Sequence, residues 1–223
     1  MKINFLGDSI TAGAWLTSPD DKYTVLLCKK LGATENNYGI SATRIARQTK
    51  PSEDKSFDQD FLSRLTSLDD TADFTFVFGG TNDYGHGDAP FGNKDDKTPY
   101  TFYGAMNVMT EYLVGKFGKN KLCYILPLPR FNENDPHGGH SCKPVAAGTL
   151  DEYRRAIEFV ASKYGVDVLN LNDAFPVPKA QEADELTADG LHPNAKGHRL
   201  IADKLYGYLV KKLNLSETGG GNV

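Results

Sequence analysis

The chain has no excess of basic residues, no long apolar run and very little cysteine, and each shortage removes a class of protein. Lys and Arg total 25 against 29 Asp and Glu, for a net charge of −4, and the cations are scattered rather than gathered in a stripe. A phosphate backbone meets no continuous positive face, so nucleic acid is not an expected partner. The longest apolar stretches, such as 108–114, are interrupted by polar residues and fall well short of the roughly 20 residues that span a bilayer, so no membrane partner is expected either. Lys2 leads straight into a strand pattern without the apolar core of a secretory leader, and cytoplasmic residence is the expectation. Three cysteines cannot form a disulfide framework: Cys28 and Cys123 read as buried thiols, and Cys142 sits in a polar loop. No Gly-x-x-x-x-Gly-Lys motif and no long Ser/Thr/Gly-rich first loop is present to wrap a nucleotide or flavin phosphate. No Pro/Gly/Ser-rich linker divides the chain, so 1–215 reads as one domain, and the Gly-rich tail 216–223 is expected to fray.

What remains is a regular alternation of apolar patterns. Strands are expected at 2–6, 36–38, 74–78, 122–126 and 166–171. Helices are expected at 22–31, 57–68, 101–117, 150–164 and 195–213, each with apolar residues at helical spacing. Strand and helix in alternation imply a parallel sheet covered on both faces by right-handed crossovers. The expected fold is α/β, a three-layer α/β/α flavodoxin-like sandwich with a mainly five-stranded parallel sheet. In such sheets, sites lie beyond the carboxyl ends of the strands.

Three glycine-marked polar loops fall at those ends: Gly7-Asp8-Ser9, Tyr38-Gly39-Ile40-Ser41 and Gly79-Gly80-Thr81-Asn82-Asp83. Ser9 would stand at the mouth of a helix, either as an N-cap with Asp8 or as a nucleophile beside free N–H groups. A serine nucleophile needs a base and a group that orients the base. Asp189-Gly190-Leu191-His192-Pro193-Asn194 supplies a carboxylate three residues before an imidazole, in a turn ahead of the last helix. Acyl transfer also needs donors for the developing oxyanion; the Asn82 amide and the backbone N–H groups of Ser9 and Gly39 are the candidates. Alone, Asn82 is an ordinary turn residue and His192 a helix-entry residue; four loops converging on one edge favour chemistry.

Further candidates for the substrate site are Asp8, Tyr84, His86 and Trp15. Tyr84 and His86 open a loop that runs to Tyr100 and either walls the site or lies in solvent; 130–148 is a second such loop. Trp15 either lines the site or covers the edge of the core, and core packing is the commoner use of a lone tryptophan. Two other readings place Asp8, Asp83, Asp189 and His192 around a divalent ion, or make the chain a non-catalytic flavodoxin-like binding module. His137, His140 and Cys142 match no complete four-ligand pattern, so no metal is expected.

In order, Gly7-Asp8-Ser9, Asn37-Tyr38-Gly39, Gly80-Thr81-Asn82-Asp83 and Asp189-Gly190-Leu191-His192-Pro193 resemble the four blocks of the SGNH hydrolases, also called GDSL-type esterases and lipases. The resemblance spans nearly the whole chain; Ser41 stands where the family commonly has a glycine. It implies ester hydrolysis through an acyl-Ser9 intermediate, with His192 as base, Asp189 as its orienting acid and Ser9, Gly39 and Asn82 around the oxyanion, without cofactor. Family substrates range over acetylated sugars, short-chain esters, thioesters and lysophospholipids. With no large apolar lid in the pattern, a small-molecule or carbohydrate acyl ester is the expected substrate.

Overall fold

Five short strands, all parallel, lie in the order β2-β1-β3-β4-β5. They are β1 (Lys2–Gly7), β2 (Thr34–Gly39), β3 (Phe74–Phe78), β4 (Leu122–Ile125) and β5 (Asp167–Leu169). The helices, again in chain order, are α1 (Ser9–Ala12), α2 (Tyr23–Leu31), α3 (Thr81–Gly85), α4 (Phe102–Phe117), α5 (Leu150–Tyr164) and α6 (Ala195–Leu213). This computed structural model describes residues 1–215; the fraying expected of 216–223 falls outside them.

Period-two alternation divides the core. Phe74, Phe76 and Phe78 point with Ile3 and Phe5 to one face, where Tyr23 and Leu27 of α2 and Ile201, Leu205 and Leu209 of α6 cover them. Val77 and Leu6 point to the other face, under Met106 and Met109 of α4 and Tyr153 and Ile157 of α5. The result is the expected three-layer α/β/α sandwich. Helix ends follow their local chemistry: Thr149 and Glu152 form a capping box on α5, Asn194 caps α6, and Gly32 and Gly165 close α2 and α5 in the left-handed region. Among the described residues no helix is long and apolar enough to cross a membrane.

Two expectations need correction. Residues 57–68 do not form one α-helix but two short 3-10 turns, Lys55–Asp58 and Leu62–Ser67. The Phe61 N–H goes to the Arg44 carbonyl, while Asp60 accepts the Ser63 N–H, so side chains and a distant loop outcompete helical bonding. The fifth strand spans only Asp167–Leu169, because Asn170 turns the chain toward a 3-10 turn at Asn172–Ala174.

Register sets the site edge. Gly7 pairs with Gly39 on one side and Phe78 on the other, and Phe78 pairs with Ile125, so four strands end in line. Buried Arg64 ties these ends together, donating from Nη1 to the carbonyls of Gly7 (3.1 Å) and Tyr38 and from Nη2 to Thr43 Oγ1 (2.9 Å). Burial pulls its guanidinium down to about 10, which leaves it charged at neutral pH. Arg64→Met strands two buried carbonyls at roughly 1–3 kcal/mol each, so we expect a loss of about 3 kcal/mol in urea unfolding. An unchanged unfolding midpoint and slope would contradict this role.

Candidate active site

Gly7 ends β1 in a turn so tight that a Cβ there would lie 1.9 Å from Thr11 Oγ1. The chain then enters α1, with Ser9 as its first residue and Asp8 as N-cap, accepting the Ile10 N–H at 3.0 Å. Ser9 keeps only 6% of its surface exposed, and its Oγ lies 2.9 Å from His192 Nε2. His192 Nδ1 lies 2.8 Å from Asp189 Oδ2. The other carboxylate oxygen accepts the backbone N–H groups of His192 (2.7 Å) and Leu191 (3.1 Å). A carboxylate only accepts, so Nδ1 carries the ring hydrogen and the Nε2 lone pair faces the serine hydroxyl. Burial works to raise the Asp189 carboxyl, but the His192 N–H and imidazole, with the Leu191 N–H, hold it below the usual range.

The turn carrying this pair is held independently of Ser9. Thr187 and Pro193 form an antiparallel bridge, the Ala188 N–H donates to the His192 carbonyl at 2.8 Å, and Gly190 adopts φ 76° at the tip. From β3, α3 presents Asn82, which spends one amide hydrogen on the Thr43 carbonyl at 2.9 Å and lines the cavity at Ser9. That cavity, about 420 Å³, is lined by Ser9, Asn82 and His192 together with Trp15, Ala42 and Arg130. A second cavity of about 620 Å³, bounded by Ala89, Pro90, Phe91 and Pro144, adjoins it through His86 and Cys142.

Several expected site residues fall elsewhere. The Gly39 N–H is already spent on Asn37 Oδ1 at 2.9 Å, and its missing Cβ serves packing, since one would lie 2.3 Å from the Ala12 nitrogen. Tyr84 is fully buried; its hydroxyl donates to the Asn132 carbonyl rather than facing the cavity. Asp8 is buried as a cap and does not line the cavity. Trp15 is not core: it is 64% exposed, holds a left-handed φ of 68°, and sets its ring 6.2 Å from that of His192. His86 does line the cavity. The residue is exposed at the cavity, and partial desolvation with the charges of Arg44, Arg130 and Lys143 lowers its imidazole from the ordinary value, while Nδ1 accepts from Arg44 Nη1 at 2.8 Å. Asp83 does not join Asp8, Asp189 and His192 around an ion. Its oxygens accept the Ile45 and Ala46 N–H groups, and among the described residues no three His, Cys, Asp or Glu side chains are grouped as a metal site.

Two cavity residues escape a reading of the sequence. Ala42 lies in the loop after β2 with φ 61°, and among the described residues no acceptor takes its N–H. Nothing local marks an alanine for that conformation. Arg130 opens the 130–148 loop beyond β4, but nothing in the sequence singles it out, and only the fold brings it into the cavity lining with Asn82 and His86.

The profile of the GDSL-like Lipase/Acylhydrolase family matches residues 5–200. No curated protein matches the chain. Among solved structures, a protein from Lactobacillus plantarum is 29% identical, with a TM-score of 0.78 over 94% of this chain and 96% of that one. A lipase/acylhydrolase from Enterococcus faecalis shares the fold at 20% identity and TM-score 0.65, covering 98% and 99% of the two chains. A carbohydrate acetylesterase from Sinorhizobium meliloti shares it at 17% identity and TM-score 0.65, covering 94% and 98%.

Asp8 makes the site's electrostatics testable. Burial, opposed only in part by the Ile10 N–H and the Arg64 charge, pushes its carboxyl from 3.8 up to about 7. The folded chain thus keeps a proton that the unfolded chain releases. The stability this gives is complete below pH 3.8 and is lost as pH rises through about 7. Asp8→Asn keeps the cap acceptor and buries no charge. Its Tm advantage over the wild type is expected to grow between about pH 4 and about pH 7 and to level off above. A constant difference in thermal unfolding across that range would contradict the cause.

Proposed function

As a member of the GDSL-like lipase/acylhydrolase family the chain is an esterase, and from that premise we propose that it cleaves small or carbohydrate-linked acyl esters through an acyl-Ser9 intermediate. One observation carries the mechanism: the unbroken relay from Ser9 Oγ to His192 Nε2 at 2.9 Å and from Nδ1 to Asp189 Oδ2 at 2.8 Å. As Ser9 Oγ attacks the ester carbonyl, its proton passes to Nε2, and Asp189 stabilises the imidazolium that forms. The tetrahedral oxyanion is met by the free amide hydrogen of Asn82 and the backbone N–H groups of Ser9 and Ala42. Ala42 takes the place first expected of Gly39, which supports the strand end instead. When the intermediate collapses, Nε2 returns the proton to the leaving alcohol; a water, deprotonated by the same nitrogen, then releases the acid.

The substrate class rests on cavity size and on Trp15. About 420 Å³ holds a short acyl group together with part of an alcohol. An exposed indole fixed beside the base offers a flat apolar face to the C–H face of a sugar ring. The Sinorhizobium meliloti carbohydrate acetylesterase is consistent with that choice. A lysophospholipase or thioesterase of the same family is favoured by the adjoining cavity, whose Ala89, Pro90, Phe91 and Pro144 suit a longer chain. The proposal keeps the cytoplasmic setting, supported by three free thiols, one of them exposed.

An organophosphonate is expected to add one covalent group at Ser9, seen by mass spectrometry, and Ser9→Ala to lose both adduct and turnover of p-nitrophenyl acetate. Hydrolysis retained in that variant would sink the mechanism. In a panel of acetyl, butyryl and octanoyl p-nitrophenyl esters with acetylated xylo-oligosaccharides, we expect acetyl esters to lead; an octanoyl preference would select the lipid reading. Because Trp15 is the chain's one tryptophan, its fluorescence should shift as an acetylated oligosaccharide is titrated into the Ser9→Ala variant. A flat titration, with binding seen by calorimetry, would remove Trp15 from the sugar site.

A further inference from the structure

Buried arginines in this fold come with partners, with one exception. Arg44 pairs with Asp58 at 3.5 Å, Arg154 pairs with Glu133 at 2.9 Å, and Arg64 donates from all three nitrogens to carbonyls and a hydroxyl. Arg130 is 5% exposed, yet among the described residues no carboxylate forms an ion pair with it. Nη1 donates to Thr81 O and Oγ1, both at 3.2 Å, Nε is buried without a partner, and Nη2 has none among the described residues. A guanidinium so placed is costly unless an anion completes it.

The surroundings keep that group open to the cavity. The Tyr84 ring lies 5.5 Å from the guanidinium carbon, and Gly85 and Gly139 flank the plane. A Cβ on Gly85 would stand 2.9 Å from Nη1, and one on Gly139 2.4 Å from Nη2. Both glycines line the cavity with Ser9 and His192. Two further cations act on His86 from nearby: Arg44, which donates to His86 and is ion-paired with Asp58, and Lys143, which donates to the Asp83 carbonyl and to the Tyr153 hydroxyl at 3.1 Å. In a chain with net charge −4, the lining of this cavity holds one arginine and no carboxylate.

We propose that the esters this site prefers carry an anionic substituent, in the form of a carboxylate, which Arg130 binds through Nη2 while Ser9 attacks the ester carbonyl. The inference rests on the reading of Ser9 as nucleophile and adds to it a specificity-determining residue. The carboxylate belongs either to the acyl half or to the alcohol half of the substrate, and paired esters tell the two apart. For the acyl half the pair is the p-nitrophenyl monoester of glutarate against p-nitrophenyl butyrate. For the alcohol half it is meta-acetoxybenzoate against phenyl acetate.

At low ionic strength the wild type is expected to favour the charged member of one pair by about tenfold or more in kcat/KM, with the preference falling as salt is added. Arg130→Gln should abolish that preference, mostly through KM, and Arg130→Lys should restore part of it. Equal use of both members of both pairs by the wild type overturns the proposal, whether or not any variant folds. An Arg130→Gln loss of the same factor on charged and neutral esters also overturns it, since that is what merely pinning Thr81 would cause. If no ester is turned over while glutarate still binds Ser9→Ala by calorimetry, and binds Arg130→Gln more weakly, the serine mechanism fails and the anion site stands.

Discussion

Everything at the site edge hangs on the loop that follows β2, and that loop is gripped from both sides by buried polar groups. Arg64 reaches across the ends of β1 and β2 to the carbonyls of Gly7 and Tyr38 and to Thr43. From β3, Asp83 takes the N–H groups of Ile45 and Ala46, and Asn82 donates to the Thr43 carbonyl. An unmade bond in so dry a place is costly, so the three loops have one mutually consistent arrangement. The left-handed turn at Ala42 is part of it. A non-glycine residue holds such a φ only where its surroundings over-determine it.

Much of the architecture was legible because short-range rules decide it. Phe74 to Phe78 reads as a buried strand, 150–164 as an amphipathic helix, and Gly32 as a stop, each from side-chain chemistry within a few residues. Asp189 and His192 were legible for the same reason, being three residues apart in one turn. Residues 57–68 misled because apolar spacing says nothing of the Arg44 carbonyl that captures the Phe61 N–H. Gly39 misled differently. A glycine at a strand end signals close approach, but not whether a ligand or the backbone of α1 is what approaches.

Ala42 and Arg130 were not singled out, and Trp15 was left between site and core, for a common reason: each owes its place to tertiary contacts, not to neighbours in sequence. A lone tryptophan after a short helix looks like core until its backbone is seen to turn left-handed and carry the ring outward, beside His192. Arg130 looks like any arginine after a proline until the fold sets it under Gly85 and Gly139. His86, a second imidazole at the cavity, is held below its ordinary range by partial desolvation and by the cations around it, and its Nδ1 is taken by Arg44. On the proposed mechanism the proton carrier is therefore His192, whose ring pairs with Asp189 rather than with a cation and faces Ser9.

The 183-residue separation between Ser9 and His192 has a consequence for biosynthesis. During synthesis the Ser9 hydroxyl is made long before the imidazole it meets. Asp189 and His192 can find each other within a single turn, but the pair has nothing to activate until β1 has been framed between β2 and β3 and α6 has packed on α2. On the proposed mechanism, reactivity is thereby withheld from half-folded chains, because hydrolysis waits until these two distant segments have met in the finished fold.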